Sequence, residues 1–322
     1  MIGTGVIGGS ILLRLRDKGF DVVGWDPDAA TADRASRMRL PFAARLDEAL
    51  RGCDVAFLAG PLASLPSSVV EVAKRTGEGC VLTDVGGAKQ GIAEHAARHG
   101  AGHRFVPGHP LVHLAGVGLW GASPSLLEGC AWVLCPSGEA LEGFRKVAAL
   151  LAEAFGARIV PTRPSLHDIV VALASDAPRV PGTVEKAGGL TRARLRAAVL
   201  GIAVVGSHGA VSVSGTPGQW AADLMFENRQ ALRARLGMVR EILDELIAAV
   251  DDEDRAARLV TEARLVRRDL EERLLVAREA RFAAGDHDTE LEFLTALGAA
   301  GGYLTRCEVG VSEVTYTALH TK

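Results

Sequence analysis

The sequence predicts an α/β protein, with a doubly wound parallel sheet in its first half and an all-helical domain in its second. Three observations carry this. Up to about residue 160, short apolar runs alternate with amphipathic stretches, the pattern of parallel strands covered on both faces by helices. A glycine-rich turn, Gly3 to Gly8, opens the first helical stretch. After "ARIVPTRP" (Ala157–Pro164) the periodicity becomes helical, which places one domain at residues 1–160 and a second at 161–322.

The elements follow in order. Only Met1 and Ile2 precede the glycine turn, fewer than the five or six residues of an average strand. That strand would be central, so residues upstream or another segment are expected to complete it. Ser10–Lys18 is an amphipathic helix, and "DVVGWD" (Asp21–Asp26) is a second strand. "DVAFLAGP" (Asp54–Pro61), "CVLTDVG" (Cys80–Gly86), "RFVPGHP" (Arg104–Pro110) and "CAWVLCP" (Cys130–Pro136) continue the strand series, with a helix at Ser68–Thr76 between two of them. In the second half, Trp220–Val250 is a long amphipathic helix ended by "DDED" (Asp251–Asp254). Arg264–Phe282, with both charge signs interleaved, is expected to be a solvated helix or an inter-helix seam. The long apolar stripes of these helices suit a twofold homodimer.

Bulk properties exclude several classes. The chain has 322 residues and a formal net charge of −3, so no global basic field points to nucleic acid or an anionic membrane. It has no run of 18 apolar residues and no secretory signal pattern. Five cysteines without C-x-x-C spacing argue against a disulfide framework or a structural metal site, and fit a reduced cytoplasm.

The turn "GTGVIG" spells G-x-G-x-x-G, the phosphate loop of a Rossmann-type dinucleotide-binding fold. Gly3 allows the tight turn, Gly5 lets backbone approach a pyrophosphate, and Gly8 lets the helix pack on its strand. The helix N-terminus at Val6 and Ile7 offers free N–H groups to phosphate. Asp26 stands about 20 residues further on, where a carboxylate accepts from the adenosine ribose. Asp28 follows and no arginine stands beside Asp26, which favours NAD over NADP. The turns bearing Gly60, Pro61 and Gly86 are expected to wall the nicotinamide. His109 follows an apolar strand at the carboxyl end of the sheet, where an imidazole can take a proton from a substrate hydroxyl.

"GTGVIGGS", "TDVGGAK", "GHPL", "LLEGCAWVLCP", "HDIVVALAS" and "WAADLMFENR" occur in this order. Together they resemble the prephenate/arogenate dehydrogenase family from Met1 to about Val250, and weakly through "FAAGDHD" (Phe282–Asp288). The resemblance implies a Rossmann domain, a helical dimerisation domain, and oxidative decarboxylation of a cyclohexadienyl acid, with His109 polarising the ring hydroxyl. Departures from the family pattern are numerous. Gly87 replaces a serine in the D-x-G-S-x-K turn, though Lys89 remains as a candidate substrate contact. His113 and Ala115 stand at a glycine and a glutamate position. Ser175–Arg179 replaces S-H-L-P-H, and Ala210–Trp220 lacks the usual carboxylate-binding arginine. A site built for a polar group discriminates through it, so these changes imply substrate contacts that are rebuilt or abandoned. Arg179 is the candidate carboxylate clamp, Asp176 a partner for an amino group, and His113 a second polar contact. Two alternatives stay open. One is a 3-hydroxyacid dehydrogenase or imine reductase using Asp168 or Asp176; the other is a dimeric NAD-binding protein without catalysis.

Overall fold

A computed structural model describes residues 1–112, 118–174, 223, 226–249, 251–271 and 275–321. Three strands form a parallel sheet in the order β1 (Val55–Leu58), β2 (Val81–Asp84) and β3 (Phe105–Val106). Parallel bridges extend it: Ile2 pairs with Leu58 and with Trp25, and Gly24 pairs with Phe42. Ile2 N–H donates to Phe57 O at 2.8 Å and Gly3 N–H to Trp25 O at 2.9 Å, while Trp25 N–H and Ala59 N–H return to Met1 O and Ile2 O. Met1–Gly3 thus lie in the slot beneath the glycine turn. The stretch Asp21–Asp26, expected as a full strand, is likewise reduced to bridges.

Helices α1 (Val6–Asp17), α2 (Ala29–Arg37), α3 (Leu46–Ala49), α4 (Leu65–Arg75), α5 (Gln90–Arg98) and α6 (Leu141–Phe155) surround this sheet. Strand alternation sorts the core into two faces. Phe57 and Val81 join the cluster of α1 and α6, with Ile11, Leu12 and Phe144. Ala56, Leu58 and Leu82 join that of α4 and α5, with Leu65, Val69 and Ile92. Trp132 fills the first face between Phe57 and Phe155, at ring-centroid distances of 6.4 and 5.5 Å.

Pro107, which has no N–H to donate, separates β3 from β4 (Gly108–Leu111). There the pattern changes from the parallel sheet expected. β4 runs antiparallel to β5 (Ala131–Leu134), and β5 parallel to β6 (Arg158–Pro161). His109 therefore lies within a strand, opposite Val133, and not after one.

The second half is not all-helical. After α7 (Pro164–Ala174), α8 (Arg229–Ile247) and α9 (Glu253–Glu271), the chain forms β7 (Leu275–Ala283), α10 (His287–Ala299), β8 (Tyr303–Val309) and β9 (Glu313–Thr321). These strands extend the second sheet in the order β4-β5-β6-β8-β9-β7. The interleaved charges of Arg264–Phe282, expected as one helix, are split between α9 and edge strand β7, whose nine residues all pair with β9. Residue 160, the expected boundary, lies inside β6, which pairs with β8 through Ile159 and Leu304. Among the described residues no helix is long and apolar enough to cross a membrane.

Candidate active site

The glycine turn is built for close approach. Gly3 has φ +84°, and a side chain there would lie 2.8 Å from the carbonyl of Ala59, so loop and β1 turn touch directly. A Cβ on Gly8 would fall 2.0 Å from Gly3 O, so any side chain would push α1 off its strand. A Cβ on Gly5 would meet nothing within 4 Å. Space is therefore open above Gly5, at the amino end of α1. No side chain caps that end, and Gly9 is the residue whose N–H reaches Gly5 O at 2.8 Å. The earlier N–H groups, on Val6, Ile7 and Gly8, point where an anion is held by a helix dipole.

Asp26 stands beside this space with part of its capacity used. Its Oδ2 accepts from Thr4 N–H at 2.7 Å and Thr4 Oγ1 at 3.2 Å; its Oδ1 accepts from Asp28 N–H at 3.0 Å. A carboxylate has about four acceptor positions, so it can still take a ribose hydroxyl. Asp28 caps α2 through Thr31 and Ala30, and those bonds hold its carboxyl below the usual range. The wall residues Gly60 and Gly86 are half-buried and Pro61 is exposed, on the turns that follow β1 and β2. An uncapped helix end, open space over Gly5 and a free face on Asp26 together fit a dinucleotide.

Two linked frames hold His109. In the first, Asp84 at the end of β2 accepts from Gly86 N–H at 2.8 Å, Gly108 N–H at 3.1 Å and the Lys89 ammonium. Lys89 also donates to Gly108 O at 2.9 Å and is fully buried. Lys89 is therefore a brace that fixes the start of β4.

The second frame was not legible as a contact. His109 Nδ1 lies 2.9 Å from His167 Nε2, and His167 Nδ1 lies 2.8 Å from Asp168 Oδ1. Asp168 is itself locked, accepting from Lys89 N–H at 2.7 Å and Gln90 N–H at 2.9 Å. Its backbone carbonyl accepts from the side chain of Asn228, at the start of α8, at 2.7 Å. A carboxylate only accepts, so His167 Nδ1 carries the proton toward Asp168. His167 Nε2 is then the acceptor for His109 Nδ1–H, which leaves the lone pair of His109 on Nε2. Burial, then the neighbouring His167 and Lys89, push the His109 imidazole well below its ordinary value. Burial also lowers His167, against the opposing pull of Asp168. Both rings are neutral near pH 7, and His109 presents a base. The sequence flagged "HD" and "FEN" as motifs; the 58-residue separation of the two histidines hid their contact.

Other expected contacts, His113, Asp176 and Arg179, lie outside the described residues. Gly87, at the position of the missing serine, is buried between Asp84 and Lys89 in the chain. Among the described residues no group of His, Cys, Asp or Glu is arranged to hold a metal ion.

Fold and loop define a nucleotide-binding α/β protein of the Rossmann type. Residues 11–161 match the family model described as prephenate dehydrogenase, nucleotide-binding domain. Its fold is similar to prephenate dehydrogenase from Aquifex aeolicus, with TM-score 0.65 and 19% identity over 83% of this chain and 98% of that one. It is similar in the same degree to Synechocystis arogenate dehydrogenase, with TM-score 0.66 and 24% identity over 83% and 98%. The Aquifex enzyme in complex with hydroxyphenyl propionate and NAD+ aligns with TM-score 0.63 and 18% identity over 84% and 96%. No curated protein sequence matches the chain.

Proposed function

We propose that this protein is an NAD-dependent dehydrogenase that oxidises a prephenate-like cyclohexadienyl acid, such as prephenate, arogenate or an amino-substituted prephenate, with loss of carbon dioxide. One observation carries the reading: a neutral histidine, His109, presents Nε2 as a base and is backed by His167 and Asp168. The family of the nucleotide-binding domain and the NAD+ complex of the Aquifex enzyme support the cofactor.

Gly3, Gly5, Gly8 and the N–H groups of Val6 and Ile7 would hold the pyrophosphate, and Asp26 the ribose. Asp26 and Asp28 place negative charge where NADP carries its extra phosphate, so NAD is favoured. The bound dinucleotide supplies the hydride acceptor. His109 Nε2 takes the proton of the ring hydroxyl as that carbon is oxidised. Loss of the ring carboxylate as carbon dioxide returns its electron pair to the ring, and the resulting phenolate recovers the proton from His109. Aromatisation drives the step, so these residues mainly orient and move one proton. Arg179 is proposed to clamp a substrate carboxylate, with Asp176 and His113 as further polar contacts.

The test is turnover with NAD+ and each of prephenate and arogenate, followed by NADH absorbance and released carbon dioxide. His109→Ala should lose about 100-fold or more in kcat while retaining NAD+ affinity, the range of a lost general base. Unchanged turnover in that variant would overturn the role of His109. Tight NADH binding by the wild type with no turnover on any such acid would overturn the enzyme reading.

A further inference from the structure

The chain has five cysteines, and two of them meet. Cys53 ends the turn before β1 and Cys80 immediately precedes β2. β1 and β2 pair in parallel from Val55 and Val81, and Val81 N–H donates to Asp54 O at 3.0 Å. That register brings the two sulfurs to 3.1 Å at the amino ends of the strands, opposite the edge that carries the glycine turn. Cys53 is half-buried and Cys80 buried.

The other three thiols differ. Cys130, Cys135 and Cys307 are all buried. Burial pushes Cys130 up to about 11 and Cys307 up to about 12, and raises Cys135 further. Cys53 moves the other way, to about 7, chiefly through its hydrogen bond with Cys80. Burial and neighbouring Asp54 oppose the shift. The same contact raises Cys80. Cys53 is thus the more readily ionised of the two and is half-buried, with the Cys80 thiol held against it. This is the arrangement of an attacking and a resolving cysteine.

We propose that Cys53 and Cys80 form a peroxide-reactive dithiol site that closes to a reversible disulfide. The Cys53 thiolate attacks one oxygen of hydrogen peroxide. The O–O bond breaks, Cys53 becomes a sulfenic acid, and the departing hydroxide is protonated to water. The Cys80 sulfur then attacks the Cys53 sulfur, the S–OH bond breaks, and its hydroxide leaves as water with the Cys80 proton. Two electrons pass from the sulfurs to peroxide, and a small dithiol returns them. The sulfurs need to close by about 1 Å to reach bonding distance, and the strand ends are already in register. The bond would tie a segment of 27 residues that contains β1 and α4, so the oxidised form should unfold at a higher temperature. This site does not depend on the chemistry at His109.

The test uses the full reduced chain treated with one to a few equivalents of hydrogen peroxide, then denatured and alkylated. Expected is the loss of two thiols, a mass lower by two hydrogens, and a crosslinked peptide pair containing Cys53 and Cys80. Cys130, Cys135 and Cys307 should be alkylated in full, the unfolding temperature should rise, and dithiothreitol should restore both readouts. In Cys80→Ser, which cannot close, dimedone should label Cys53. In Cys53→Ser no thiol should be lost. Five free thiols after treatment of the wild type, or a loss spread evenly over all five, would overturn the proposal.

Discussion

His109, His167 and Asp168 make two predictions at the scale of single residues. Both rings are held below the ordinary imidazole value of 6.5 by burial. The unfolded chain binds their protons near 6.5 and the folded chain resists them. The stability they contribute is therefore present above about pH 6.5 and is lost as pH falls below it. The urea midpoint should drop between pH 7.5 and 5.5, and the drop should be smaller in His109→Gln. An equal drop in both proteins would show that His109 does not contribute. Asp168 acts one step removed, by fixing which nitrogen of each ring holds a proton. Asp168→Asn should lower kcat by about 100-fold and leave NAD+ affinity in place. Nitrogen-15 shifts of the His109 ring should show a proton confined to Nδ1 in the wild type and no longer confined there in the variant. The same Nδ1–H signature in wild type and variant would refute the positioning role whatever the substrate proves to be. In the sequence His109 was legible from its place after an apolar run, and Asp26 from its spacing. The partner ring was not, because a contact across 58 residues leaves no local pattern. The burial of Lys89 was hidden for a related reason: sequence cannot tell a buried ammonium paired with Asp84 from one that faces a ligand.

At the scale of elements, the first half was legible because apolar runs and amphipathic helices alternate there with little competition. β7 was not. "LVAREARFA" is rich in Leu, Ala, Arg and Glu, which favour helix, and it continues a charged helical stretch. It is an exposed edge strand, so no buried alternation marks it, and its nine pairings with β9 override the local preference. β9 did carry a signal: Val314, Tyr316 and Ala318 alternate and are buried. What anchors this added sheet is a buried cluster. Arg145 on α6 donates to Glu290 on α10, with Nε to Oε1 at 3.0 Å and Nη2 to Oε2, while Tyr316 Oη donates to Glu290 Oε1 at 2.5 Å. Glu290 is fully buried, so removing it strands a cation and a hydroxyl. Glu290→Ala should cost about 3–5 kcal/mol in chemical denaturation, as for other broken buried pairs. A loss below about 1 kcal/mol, the value of an exposed pair, would mean that the cluster does not anchor the sheet.

At the scale of the molecule, the outstanding feature of the second half is what it leaves exposed. On α8, Leu236, Leu243 and Ile247 fall at spacings of seven and four, so they form one stripe along the helix, and all three are exposed. Phe226 precedes them at 63% exposure, and Val260 and Leu265 on α9 are exposed too. An exposed apolar stripe along a helix suits a partner surface. We propose that a second copy of the chain covers it through a twofold axis, since an isologous contact lets one stripe bury itself against its own copy. The site has a stake in this contact. Asn228, just before α8, holds the Asp168 carbonyl, and α8 packs on α7, so a displaced α8 would loosen the support of His167. Light scattering should give twice the chain mass for the wild type. Leu243→Asp, on the exposed side of the helix, should give the single mass with unchanged far-ultraviolet circular dichroism. It should also lower kcat more than it weakens NAD+ binding, because the dinucleotide loop lies on α1 and not on α8. A wild type that scatters as a monomer at micromolar concentration would refute the dimer. A monomeric Leu243→Asp with full kcat would separate the dimer from the site and leave the Asn228 contact as a matter of folding alone.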